Sequence, residues 1–172
     1  MGEGCYHGSG SGAQNGFADY NDSVTAITPI FLPANTWTTL TNDGAGASTN
    51  LGYLPTGAAQ LMDTSTGQFD FSGLKLGDNC FIRNDFSVTP QTNNALLKLR
   101  YQLGAGINAY TLETILGRLD SGSGILYRFS LVPQMIYMGD LNTKDNPITL
   151  QINLSSAGTA VNAGSAIGVV VR

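Results

Sequence analysis

The chain is short of almost everything from which catalysis is built. Of its 172 residues one is histidine, two are cysteine and one is tryptophan, and only 12% are charged, about half the usual quarter. Few acids and bases leave few proton donors, proton acceptors or ion-pair anchors. Eight Lys and Arg stand against twelve Asp and Glu, for a net charge of -4, with a pI near 4.6. The basic residues are scattered, so no patch neutralises several phosphates, and nucleic-acid binding is not expected. No run approaches the ~20 apolar residues that cross a bilayer, and the opening MGEGCYHGSGSG lacks the apolar core of a secretory signal. Neither membrane insertion nor ordinary export is expected.

The scarce groups are also badly placed for chemistry. His7 lies in a Gly-rich stretch that offers no scaffold, whereas a Ser–His–Asp triad is defined by fixed geometry. Cys5 and His7 are close enough to share a metal, but a structural zinc site needs four ligands and no others are nearby. No phosphate-cradling loop of the GxxxxGK type occurs. Cys80 reads as a small buried hydrophobe, and a Cys5–Cys80 bridge has no spacing signature. Two well-spaced acids suffice to hydrolyse a glycoside, which makes Asp70, Asp78, Asp85, Glu113 and Asp120 candidates. Their plainer readings are turn residues for Asp78 and Asp120 and a surface partner of Arg83 for Asp85. Asn42-Asp43-Gly44 and the stretch from Asp140 to Asp145 offer oxygen ligands for calcium, but neither matches the EF-hand loop. Tyr53, Tyr110, Tyr127 and Trp37 lie near polar loops and offer a platform for carbohydrate or protein. The plainer reading is that they pack inside, Trp37 above all. No catalytic, metal-binding or cofactor-binding residue is assigned, and an enzyme is not expected.

Where charge is missing, Gly, Thr, Ser and Asn take its place, which favours strands and turns over Glu/Lys-laced helices. Residues 1–22 are set apart. Six of the first sixteen are Gly, and such a segment cannot offset its ordering entropy alone, so a flexible arm is expected. Residues 23–172 read as one β-sandwich domain. Two segments alternate cleanly: Leu97, Leu99, Tyr101 and Leu103 against Lys98, Arg100 and Gln102, and Ile148, Leu150, Ile152 and Leu154 against Thr149, Gln151 and Asn153. A one-residue slip would throw every leucine and isoleucine of these runs into water, so the pattern fixes their register. Further strands are expected at Ser23–Leu32 (confined to an edge or broken by Pro29 and Pro33), Thr36–Thr41, Gln68–Phe71, Asn79–Thr89, Ile107–Leu112, Ile125–Val132, Met135–Met138 and Ala166–Val171. A single helical turn is expected over Leu112–Leu119. Eight to ten short strands with turns between them make an all-β, jelly-roll-like antiparallel β-sandwich.

The segment Thr64–Val88 resembles the C1q/TNF-like jelly roll, in Thr66-Gly67-Gln68-Phe69, Gly73, Gly77 and Phe81/Phe86. Ile27–Gly46 (ITPIFLPANTWTTLTNDGAG) is similar to the first strands of small jelly-roll modules of bacteriophage virion proteins, and GSAIGVVVR to the strand that closes them. The absence of a collagen-like or transmembrane stalk turns the resemblance towards the viral branch. It implies a homotrimer located in the virion, a non-enzymatic capsid decoration or head-fibre protein attached to other virion proteins (the capsid or a fibre base) through residues 1–22. The alternative it implies is a tail-fibre or baseplate tip that attaches to a host surface glycan. A monomeric carbohydrate-binding module is the reading from a different class.

Overall fold

The computed structural model describes residues 14–172. Along them run β1 (Gly16–Asn21), β2 (Ile30–Leu32), β3 (Thr38–Thr39), β4 (Asn50–Tyr53), β5 (Met62–Asp63), β6 (Gln68–Phe69), β7 (Asn79–Pro90), β8 (Ala95–Leu103), a 3-10 turn (Gly106–Asn108), β9 (Tyr110–Leu119), β10 (Tyr127–Ser130), β11 (Gln134–Tyr137), α1 (Leu141–Asp145), β12 (Thr149–Leu154) and β13 (Gly158–Val170).

The strands form two main sheets. In sheet A the long β7 and β13 lie side by side, β10 and β11 follow each other along the free edge of β7, and β1 and β2 share the other edge of β13, with β4 outside β1. Sheet B runs β3-β12-β8-β9. Setting aside β4 and the β5–β6 hairpin, and counting β1/β2 and β10/β11 each as one interrupted strand, eight strands remain. Their antiparallel partners are first with last, second with seventh, third with sixth and fourth with fifth. That is one long hairpin wound over itself, the jelly-roll topology. The chain is therefore an all-β sandwich of the class its composition and alternation predict.

Both clean alternations hold. Leu97, Leu99, Tyr101 and Leu103 of β8 and Leu150, Ile152 and Leu154 of β12 are buried, paired as Leu99↔Ile152 and Tyr101↔Leu150. From sheet A they meet Cys80, Ile82, Phe86 and Val88 of β7, Ile167 and Val169 of β13, and Ala18 and Tyr20 of β1. Leu61, Met62, Phe69 and Phe71 belong to the same core. The β5–β6 hairpin that carries two of them is tied down by the Leu61 N–H donating to Tyr20 Oη at 2.8 Å and by a bridge between Phe69 and Ile148. Asn84, the exception on the apolar face of β7, is fully buried and joins the sheets. Its side-chain amide donates to Tyr101 Oη, and its Oδ1 accepts from Ser165 Oγ at 2.7 Å. A satisfied polar link inside a low-dielectric core specifies how the two sheets sit on each other.

Several boundaries differ from the sequence reading. Gly16–Asn21, assigned to the arm that ends at residue 22, is a strand of sheet A. Its Ala18 and Tyr20 point into the core opposite Ile167 and Ser165. Residues 1–13, with Cys5 and His7, lie outside the described residues. Ser23–Leu32 is a strand only from Ile30. Before that Asp22 accepts from the N–H and hydroxyl of Thr25, at 2.7 and 2.6 Å, and turns the chain. Leu112–Leu119 is strand rather than a helical turn. A bulge at Leu116, between the pairs Leu97↔Gly117 and Lys98↔Ile115, puts Leu112, Leu116 and Leu119 on the inner side at a spacing that imitates a helix.

Core burial in β8 carries a direct test. Leu→Ala at such a site costs about 2–5 kcal/mol, and a carboxylate there costs more. Leu99→Asp is expected to leave no cooperatively folded protein by circular dichroism and urea titration, whereas Gln102→Asp on the exposed side of the same strand leaves the urea midpoint nearly unchanged. A folded Leu99→Asp protein would overturn this register.

Candidate functional site

The candidate acids do not converge. Asp85 faces outward from sheet A and pairs with Arg83 at 2.9 Å. Glu113 faces outward from sheet B and pairs with Lys98 at 3.3 Å. The sandwich thus separates them on opposite outer faces. Asp78 is buried and closes a turn, accepting from the Lys75 N–H at 2.8 Å and the Arg172 N–H at 3.0 Å. Asp70 accepts from the N–H and hydroxyl of Ser72 and from Gln60. Asp120 is exposed beyond the end of β9.

The calcium candidates are likewise engaged with protein donors. Asp43 accepts from the N–H and hydroxyl of Ser23 at 2.8 and 2.6 Å and from the Ala45 N–H. Asn42 is buried, donating to the Tyr20 carbonyl and accepting from the Gly44 N–H. Asp140 caps the N-terminus of α1 by accepting from the Thr143 N–H at 2.8 Å. Among the described residues no three His, Cys, Asp or Glu side chains form a group able to hold a metal ion.

The aromatics also depart from expectation. Trp37 is half-buried on the outside of sheet B rather than in the core, with the Arg100 guanidinium 4.3 Å above its ring. The cause is register: Thr38 stands opposite the inward-facing Ile152, so its neighbour Trp37 points the other way. Tyr110 and Tyr53 are exposed, and Tyr127 is half-buried with its hydroxyl accepting from the Ser121 N–H.

The two outer faces of the sandwich are unlike. That of sheet B is mostly polar, with Lys98–Glu113, Arg100 donating to Gln151 at 2.8 Å, and Gln68 donating to Thr149 at 2.9 Å, and with Ile115 exposed opposite Lys98. That of sheet A carries an apolar row across five strands, in the register Met135↔Phe81↔Gly168↔Phe17↔Tyr53. The four side chains are 52%, 36%, 41% and 67% exposed. The position above Gly168 is open. Tyr137 and Val170, beside Asn79 in the next row, extend the apolar area. At about 4.8 Å per strand the row spans roughly 19 Å. A second apolar feature lies at the edge where β9 faces the β10–β11 connection. There a cleft of about 400 Å³ opens between the sheets, lined by Leu99, Tyr101, Leu116, Leu131, Val132 and Pro133 among others. The row escaped the sequence reading because Phe17 and Phe81 are single out-of-phase apolar residues on different strands. Only the cross-strand register assembles them.

No protein-family model and no curated protein matches the chain. Among solved structures it is similar to a chain of infectious bursal disease virus Gt strain, with 11% identity over 94% of this chain and 34% of that one and a TM-score of 0.44. It is also similar to PRD1 vertex protein P5, with 15% identity over 94% of this chain and 99% of that one and a TM-score of 0.41. A chain of infectious bursal disease virus Gx strain gives 13% identity over 93% of this chain and 33% of that one, at a TM-score of 0.40. This chain thus spans about a third of the bursal-disease-virus chains. Identities and scores this low assign no function.

Two outcomes follow from the ionisable groups. Hydrogen bonds from Ser23 to Asp43 and from Ser65 to Asp63 hold these carboxyls below the usual 3.8. Burial pushes Asp70 up, but the donors Ser72 and Gln60 outweigh it and leave it lowered as well. Groups depressed in this way contribute stability that is complete above the unfolded value and is lost as pH falls through the folded one. Melting temperature is therefore expected to hold from neutral pH down to about 3.8 and to drop below it. A decline already complete at higher pH would contradict this assignment. Burial pushes the Cys80 thiol up to about 12, with Asp78 adding to the shift. In a Cys5→Ser background Cys80 is expected to resist Ellman's reagent until urea unfolds the protein.

Proposed function

We propose that this chain is a non-enzymatic structural protein of a bacteriophage virion, a capsid decoration or head-fibre protein that works as a homotrimer. The observation that carries the reading is the apolar row on sheet A. Burying a side chain such as Phe or Met from an exposed state contributes about 1.5–3 kcal/mol, and a contiguous exposed apolar area marks a surface that associates. The opposite face, polar and internally paired, suits solvent. The placement in a virion draws on the resemblance of Ile27–Gly46 and Gly164–Arg172 to phage jelly-roll modules. Attachment falls to residues 1–13 rather than 1–22, since the pull of another protein on β1 would strip Ala18 and Tyr20 from the core.

Light scattering after size exclusion tests the assembly. The expected mass is about three times the 18.0 kDa of one chain. Phe81→Asp is expected to give the single-chain mass with an unchanged circular dichroism spectrum, because Phe81 faces outward. A wild-type protein of single-chain mass would remove the homotrimer. Mass spectrometry of purified particles tests the location: the chain is expected in them, and a variant lacking residues 1–13 is expected to be lost from them.

A further inference from the structure

In a ring of three identical copies each contact is heterologous: the surface a copy gives to one neighbour differs from the surface it receives from the other. The apolar row is one such surface. With Tyr137 and Val170 it covers roughly 19 Å by 13 Å of sheet, about 250 Å². Each partner in a stable interface contributes about 800 Å², so the row alone falls short. A homotrimer requires a second, unlike surface.

The edge of the sandwich beside β9 has the properties required, because both facing ladders are broken there. Between the pairs Ser130↔Asp85 and Gln134↔Ile82, the three residues Leu131, Val132 and Pro133 stand against two of β7. The extra residue interrupts the edge strand and leaves Val132 88% exposed. Across the gap β9 is bulged at Leu116. Thr114 is exposed although it faces inward opposite Leu99, and Ile115 is 63% exposed on the outer side. Neither edge closes over the other, so the cleft of about 400 Å³ stays open down to Leu99 and Tyr101. An exposed apolar strip of this kind marks a surface that associates.

Three features select a second copy as the occupant. The strip adjoins the row: Met135, the row's last residue, is separated from Pro133 by Gln134 alone. Two contact surfaces that adjoin close a ring, whereas surfaces on opposite sides of a molecule build an open filament. Secondly, neither surface carries a charge. The polar residues of the cleft are Thr114, Ser130 and Gln134, and that of the row's flank is Asn79. Pressing one surface on the other therefore desolvates no ion and brings no like charges together, in a chain whose net charge is -4. Thirdly, the irregularities at Leu116 and at 131–133 break the row of free backbone groups, so an added strand from another chain has no regular edge to pair along.

We propose that the homotrimer is built head to tail, the apolar row of each copy packing against the β9 edge of the next. The inference rests on the homotrimer reading and adds to it the surface that receives the row. Val132 and Pro133 form one side of that surface, and Thr114, Ile115 and Leu116 the other. Phe17, Phe81 and Tyr53 of the neighbouring copy cover it.

Light scattering of Val132→Asp, alone and mixed with Phe81→Asp, tests the contact. Val132 stands outside the core, so Val132→Asp is expected to keep the wild-type circular dichroism spectrum but to show the single-chain mass of 18.0 kDa. An equimolar mixture of the two variants restores one intact contact, the row of Val132→Asp on the edge of Phe81→Asp. It is expected to give about twice the 18.0 kDa of one chain and no more. A wild-type trimer that Val132→Asp leaves intact would overturn the head-to-tail contact while the homotrimer stands. So would a mixture that stays at the single-chain mass across a concentration series. A wild-type protein of single-chain mass would overturn both.

Discussion

The pairing of β7 with β13 is the constraint on which the rest of the fold depends. It runs without interruption from Gly158↔Pro90 to Asn162↔Phe86 and, after one bulge, from Gly164↔Asp85 to Val170↔Asn79. Every other strand of sheet A is docked on an edge of this ribbon or on a strand so docked. The bulge is what allows so long a pair to keep one buried face. Before it Ala160 and Asn162 point inward, and after it Ser165, Ile167 and Val169 do. Gly164 takes the backbone through this change at φ +152, where an added Cβ would stand 2.6 Å from the Tyr20 carbonyl oxygen. Asn162 closes the local hydrogen bonding, accepting from the Gly164 N–H and donating to the Thr41 carbonyl.

The same ribbon organises the outer surface. Because its strands are long, one sheet face presents an apolar area at one end and a polar groove at the other. The register carries Phe81 towards Phe17 across Gly168, and Ser87 towards Arg128. Gly168 leaves the space between the two phenylalanines open. The result is two unlike areas on a single face, the apolar row and a groove lined by Arg83, Asp85, Ser87 and Arg128 among others.

The strands that were legible in the sequence are those in which the period of two is unbroken. β8 and β12 alternate along their whole length, and their pairing follows. β9 and β13 were misread for one reason: a bulge in each shifts the phase by a residue. In β13 the shift hid Gly158–Ser165, so the strand seemed to begin at Ala166, and in β9 it produced helix-like spacing. β1 was missed because Gly16 and a glycine-rich leader diluted its signal, although Ala18 and Tyr20 are wholly buried. Trp37 was misplaced because a two-residue strand, Thr38–Thr39, is too short to establish which face its neighbours occupy.

By itself the sequence determined the fold class and the inward faces of β8 and β12, because hydrophobic burial acts on each residue and its alternation can be read along one strand. It also determined that the acids are few. The apolar row and the polar groove belong to the tertiary structure. Each is assembled from residues on three to five strands, brought together by hydrogen-bonded register across the sheet. Register between distant segments is a property of pairing, set by bulges and edge docking. No local window of the chain contains it.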